Sequence, residues 1–398
     1  MRLRRHRLIA FVALFALVAT ACSQQGVATD TVDTQDTGDV PDALASTEDV
    51  EAESLDRLVV AARGDINASP LWIADSLGFF EDRGIEVDFL PVTDADDLAQ
   101  TMNQGLAQVA VESSATALGR ISNDFADISF IAYIDGTNGG TGDRGTISLV
   151  APTAAGGAVD WTGCDLVGQR IGVDSTTSLQ AIALREMLRN SECSDTPVVD
   201  GDIDGATALP SDEVSAEDDL DLDVEGSEAD GPSEVLELVE VDAVSLKGAL
   251  QTGALDAGVF AEPNTTRLLR ESNAGTIEVL VDIVANLDEE LCGAARCANS
   301  VVVASNSLLD NNGELVGRFS QAIDDSIDWI IDNELEYRAA LVSCCALSTS
   351  DASDIPKPNF VGSEGDLFAD ITPIIEVLAA QGKIADRSRL GSGIVRTP

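Results

Sequence analysis

The chain has 398 residues, of which 70 are acidic and 23 basic, for a formal net charge of −47 at pH 7. A surface this negative repels nucleic acid and anionic membrane, so neither is expected as a partner. His6 is the only histidine, and a chain that loses it cannot build a Ser-His-Asp or Cys-His pair or a histidine metal site.

The first predicted element is an export signal. Arg2, Arg4, Arg5 and Arg7 precede residues 8–21, where only Thr20 is polar. That run is shorter than the ~20 apolar residues of a membrane span. A basic start, a short apolar stretch and a small-residue exit read as a secretion signal, residues 1–21. Ala19-Thr20-Ala21-Cys22 resembles the lipobox of bacterial lipoproteins, with Ala at position 19 where that pattern prefers Leu. The resemblance implies cleavage before Cys22 and a lipid on its thiol. An ordinary cleaved signal is the alternative. Cleavage would remove His6 and four of the 23 basic residues, leaving 19 against 70 acidic ones, or −51. Residues 22–55 are acidic and lack aromatic residues, which predicts a flexible tether.

Strand and helix then alternate. Residues 58–62 form a β-branched and apolar run, and Ser69-Pro70 predicts a helix start with Ser69 as cap. Gly84 ends that unit, and residues 85–92 alternate like a strand. A helix over 94–104, short strands at 109–111 and 130–134, a strand at 170–173 and a helix over 178–189 follow. Beyond residue 232 come strands at 238–241, 257–260, 277–283 and 300–304, with a helix over 245–252. Phe319, Ile323, Ile327 and Ile330 repeat at helical spacing. This alternation predicts an α/β protein with mostly parallel sheets, long enough for two domains. Residues 201–232 are acidic without one basic residue and read as a disordered insertion. Asp200, Asp202 and Asp204 mimic the start of a calcium loop, but Ser211 stands where the closing Glu belongs. Neither a metal nor a cofactor is expected.

Six cysteines remain beside Cys22: Cys164, Cys193, Cys292, Cys297, Cys344 and Cys345. An even set in an exported chain reads as up to three disulfides. Cys164 with Cys193 is the favoured pair, Cys292 and Cys297 are spaced to close a short loop, and Cys344 and Cys345 join each other or reach elsewhere.

Four motifs in order then resemble one family. They are Ser69-Pro-Leu-Trp-Ile-Ala-Asp-Ser-Leu-Gly-Phe-Phe-Glu-Asp-Arg-Gly-Ile-Glu-Val87, residues 166–174, residues 249–263 ending in Glu262-Pro263, and residues 301–309. They resemble solute-binding proteins of ABC importers, in the branch for nitrate, sulfonates, taurine and thiamine-precursor pyrimidines. The resemblance implies a two-lobed periplasmic-binding-protein-like fold (type II). Lobe one would hold residues 56–152 and 299–398, and lobe two residues 153–298 with the insertion on its outside. The chain would cross near residue 152 and return near 299.

Ligands in such clefts are held at strand-to-helix turns, where N–H groups and a helix dipole converge. The candidates are Asp65 and Asn67 after the first strand, and Ser113 and Ser114 after the third. Tyr133, Asp135 and Asn138 lie before and in a glycine-rich loop; Ser175, Thr176 and Thr177 lead into the helix at 178; Glu262 follows a strand. Plain capping is the competing reading of each Ser, Thr and Asn. Tyr133 and Trp161 are candidates for stacking, whereas Trp72, Phe79 and Phe80 read as core. Asp65, Asp135, Asp174 and Glu262 tilt the cleft toward a neutral or cationic ligand, and Arg144 is the basic residue noted near these turns. The expected function is capture of a small molecule for a permease and its ATPase, by a non-enzymatic monomer anchored through Cys22 outside the cytoplasm. A transporter-independent sensor and a pyrimidine-forming enzyme are the alternatives.

Overall fold

The computed structural model describes residues 55–93, 95–136, 146–153, 161, 163–201, 235–271, 277–282, 292, 296–345 and 347–396. Cys22, the signal, the tether, Asn138, Arg144 and residues 202–232 of the insertion lie outside them.

The chain opens with β1 (Asp56–Ala62), α1 (Ser69–Ser76), β2 (Ile85–Pro91) and α2 (Ala95–Asn103). Next come β3 (Val109–Ser113), α3 (Ser114–Ser122) and β4 (Ile128–Gly136). A second group holds β5 (Ile147–Pro152), β6 (Arg170–Val173), α4 (Leu179–Arg189), β7 (Val198–Gly201) and β8 (Leu236–Glu240). It continues with α5 (Ala243–Thr252), β9 (Ala257–Ala261), α6 (Asn264–Glu271) and β10 (Ile277–Asp282). The chain returns through β11 (Ala298–Ser305), α7 (Asn306–Asp332), α8 (Glu334–Cys344), α9 (Thr349–Asp354) and α10 (Leu367–Ala380).

Local chemistry sets several of these boundaries. Pro70 sits in the first turn of α1, where its missing N–H costs nothing. The cap position is Ala68 rather than Ser69. Ser69 is buried, and its Oγ lies 3.0 Å from the Tyr337 hydroxyl. Gly84 takes φ +70, a left-handed turn that releases the chain into β2.

Two sheets result. The first has the order β2-β1-β3-β11-β4 and the second β10-β5-β9-β6-β8-β7. β1 pairs in parallel with β2 and β3, and β6 with β8 and β9. The returning strand β11 runs antiparallel between β3 and β4, and β5 runs antiparallel to β9 and β10. Each sheet is therefore mixed. The antiparallel pairs involve strands entering or leaving a sheet without a crossover helix, which parallel pairing requires. β5 already belongs to the second sheet, so the chain has crossed by residue 147 rather than near 152. β5 and β7 have no counterpart in the predicted strands.

One face of the first sheet packs under α1, α7 and α8, where Phe80 stacks on Phe319 with centroids 5.1 Å apart. A second apolar cluster holds Leu118 of α3, Ile371 and Ile374 of α10, Leu149 of β5, and Ile182 and Leu184 of α4. It is continuous across both sheets. A third lies between α5, α6 and the outer face of the second sheet. Among the described residues no helix is long and apolar enough to cross a membrane.

Candidate ligand site

Strand direction decides which ends meet. β1 and β3 are parallel, and β11 is antiparallel to both β3 and β4, so β1, β3 and β4 all point to one edge. The same reasoning puts the ends of β6 and β9 and the start of β5 on one edge of the second sheet. Arg63 Nη1 lies 3.5 Å from Asp174 Oδ2, joining the turn after β1 to the turn after β6. The two edges face each other there.

The first-sheet edge is rich in buried acceptors. Asn67 Oδ1, Ser113 Oγ, Glu112 Oε1 and Asp135 Oδ1 are buried without a hydrogen-bond partner among the described residues. Such atoms cost on the order of 1–3 kcal/mol each when left unmade. Asp135 is 2% exposed, and its Oδ2 accepts from Asn299 Nδ2 at 2.9 Å. Burial, opposed by hydrogen bonds from Asn299 and Ser300 and reinforced by the charge of Asp65, pushes its carboxyl up to about 6. Asp65 Oδ1 accepts from the Ala68 N–H at 3.0 Å. Its carboxyl is also pushed up by burial, with Arg63 and two backbone N–H groups opposing and Asp174 adding. Arg120 of α3 pairs with Glu112, and burial, aided by the nearby charge of Arg63, lowers its guanidinium to about 10.

The turn after β6 satisfies itself, whereas Ser148 Oγ at the start of β5 is buried without a partner among the described residues. Glu240 Oε1 accepts from the Thr176 N–H at 2.6 Å, from Thr176 Oγ1 at 3.0 Å and from Ser175 Oγ at 3.3 Å. Ser175 Oγ also accepts from the Thr177 N–H at 3.2 Å. Arg185 Nη1 donates to the Thr176 carbonyl at 2.6 Å and the guanidinium pairs with Asp200.

Several candidates are engaged in structure instead. Glu262 is 1% exposed, and its Oε2 accepts from the Thr266 N–H at 3.1 Å, within the first turn of α6. It thereby supports the start of α6. Ser114 Oγ donates to the Ala298 carbonyl, pinning α3 to β11. Tyr133 is 3% exposed and packs in the cluster under α10, so it offers no face for stacking. A Cβ on Gly136 would strike its hydroxyl, so only glycine allows that approach. Burial and the carboxylate of Asp370 push its phenol up. Trp161 packs against the same cluster. Phe80 is core, and Trp72 is half-buried against Phe89. No cluster of three or more potential metal ligands occurs among the described residues.

Cys164 joins Cys193 and Cys292 joins Cys297, with Cα separations of 5.2 and 5.6 Å. The third bridge is not formed: Cys344 and Cys345 are free thiols. They are successive residues at a helix end, where neighbouring side chains project about 100° apart.

Arg63, Arg120, Glu240 and Asn299 were not among the predicted site residues. Arg63 directly precedes the Gly64 turn and was legible from its place at the end of β1. Arg120, Glu240 and Asn299 reach their partners across 8, 64 and 164 residues, a separation that no local pattern reports.

The arrangement is the periplasmic-binding-protein fold: two mixed α/β lobes with chain crossings between them and strand ends facing each other. A family model described as NMT1/THI5 like matches residues 65–141, which include the turns after β1 and β3. Among solved structures, the alkanesulfonate-binding protein SsuA from Xanthomonas axonopodis pv. citri, bound to MOPS, has 13% identity and a TM-score of 0.60. That match covers 86% of this chain and 98% of the other. The periplasmic aliphatic sulphonate binding protein SsuA from Escherichia coli has 12% identity and a TM-score of 0.59, covering 86% and 93%. The desulfurization enzyme DSZB has 17% identity and a TM-score of 0.52, covering 86% and 96%. No curated protein sequence matches the chain.

Proposed function

We propose that this chain is the extracytoplasmic solute-binding component of an ABC importer, anchored by a lipid on Cys22, and that its solute presents N–H donors or a positive charge. The fold supports the first part, since two facing lobes can close on a small molecule and offer the closed surface to a permease and its ATPase. The buried acceptors Asn67 Oδ1, Glu112 Oε1 and Asp135 Oδ1, without partners among the described residues, carry the second. A solute with N–H groups would satisfy them, and a cation would be held by Asp65 and Asp135. The two SsuA proteins are named for sulfonates. A sulfonate at the first-sheet edge of this chain would meet Asp65, Glu112 and Asp135, while Arg63 and Arg120 are already paired with Asp174 and Glu112. Turnover is not part of the reading, because removal of the signal leaves no histidine for acid–base chemistry.

Thermal-shift screening of the processed chain against amines, heteroaromatic amines, pyrimidines, sulfonates and nitrate tests this. A true solute at 100 times its dissociation constant adds about 2.7 kcal/mol. Stabilisation by an amine class is the expected result; stabilisation by sulfonates alone overturns the ligand reading, and no shift with any class counts against capture of these solutes.

A further inference from the structure

Cys344 and Cys345 stand apart from the other described cysteines, because both are free while the same chain closes two disulfides. They end α8, where the Cys345 N–H donates to the Leu341 carbonyl at 3.2 Å. Cys344 is half-buried and Cys345 is 6% exposed. Behind them Tyr337 reaches Ser69, in the helix that follows the Asp65 turn. The charges of Asp65 and of Arg267 in α6 also reach Cys345. A few residues ahead is α9, which the second lobe grips. Arg270 of α6 donates to the Ser350 carbonyl at 2.9 Å, lies 3.3 Å from Asp351 and pairs with Asp354. The two thiols thus sit at the joint between a helix packed into the first lobe and a helix held by the second.

We propose that Cys344 and Cys345 are a thiol–disulfide switch, closed by exchange with a low-molecular-weight disulfide, that resets α9 against Arg270 and so tunes lobe closure. The more exposed Cys344 thiolate attacks one sulfur of that disulfide, forming a mixed disulfide and releasing one thiol. The Cys345 thiolate then attacks Cys344 Sγ, closing the ring and releasing the second. Two protein thiols are oxidised by two electrons, and one small disulfide is reduced to two thiols. Its hydrogen bond with Cys344 and its burial push the Cys345 thiol up, which keeps it protonated and leaves the first attack to the more exposed Cys344.

The test uses the whole processed chain in oxidised and then reduced glutathione. After oxidation, the peptide holding both cysteines should lose the mass of two hydrogens and resist iodoacetamide. Reduced glutathione should reopen it while the Cys164–Cys193 and Cys292–Cys297 bridges persist. Hydrogen exchange in residues 349–354 should differ between the two states by about fivefold or more, the low end of ordinary coupling between sites. A C344S/C345S variant should lose that response, and the wild-type comparison decides the matter even where the variant does not fold. Free thiols after oxidation, a persistent glutathione adduct, or ring closure with unchanged exchange in α9 would each overturn the proposal. The readout needs no solute, so its failure leaves the importer reading standing.

Discussion

The two edges that face each other are built from the same parts and spend them differently. At the turn after β6, Ser175 and Thr176 point their donors at Glu240 of their own lobe. In the turn after β1 and at the ends of β3 and β4, one oxygen each of Asn67, Glu112 and Asp135 has no partner among the described residues. A hydroxyl-rich turn before a helix is therefore not in itself a binding turn; what matters is whether the fold already supplies its partner. Selectivity should be written in the first lobe, with the second acting as a lid of fixed chemistry.

The largest expected effect is at Asp135. Asp135→Asn should weaken binding of a cationic amine by about tenfold to a hundredfold, the usual range for a hydrogen bond to a charged group. Calorimetric titration measures it. The same variant should be more stable at pH 7. A buried carboxyl raised to about 6 keeps its proton longer in the folded state than in the unfolded chain. Stability is therefore lost as pH climbs from the usual carboxylate range to about 6, and removing the carboxyl should restore about 1–3 kcal/mol in a denaturant melt. Next comes pH itself: affinity for a cation should rise by about tenfold between pH 5 and 7 as Asp135 ionises. An affinity flat over that window would remove Asp135 from the site. Glu240→Ala should change amine binding by less than about threefold, but it frees the donors of Ser175 and Thr176 and should create measurable binding of small anions. Should it instead cost as much amine affinity as Asp135→Asn, the contrast between the lobes is wrong. Smallest is Arg63→Ala, which removes a half-exposed pair across the cleft and should cost about 0.5 kcal/mol of closure, read as a salt-sensitive change of about twofold in affinity.

Much of the architecture was legible because it is written locally. Apolar runs at 58–62, 85–92 and 300–304 and the helical repeat through Phe319 and Ile330 are patterns of period two or 3.6, and each became an element. β7, by contrast, is a four-residue edge strand with half of its pattern exposed, and β5 follows a glycine-rich stretch of sequence that hides its start. The site was legible only as a set of turns. Asp65 and Asp135 drew notice by position, while nothing local to Glu262 and Tyr133 signalled the contacts that bury them. Glu262 is absorbed by the N–H of Thr266 and Tyr133 by packing under α10, and neither partner lies in the motif that drew notice to it. Capping against binding is a question of which neighbour the fold supplies, and a single sequence leaves it open.

The apolar cluster that runs without a break from α10 and α3 through β5 into α4 bears on how the molecule comes apart. Melting either lobe alone would expose the side chains that the other lobe packs against, and that penalty ties the two transitions together. Calorimetry should therefore show one unfolding event in which the measured and van't Hoff enthalpies agree. A solute bound at the cleft would then stabilise both lobes at once, whichever of them supplies its contacts.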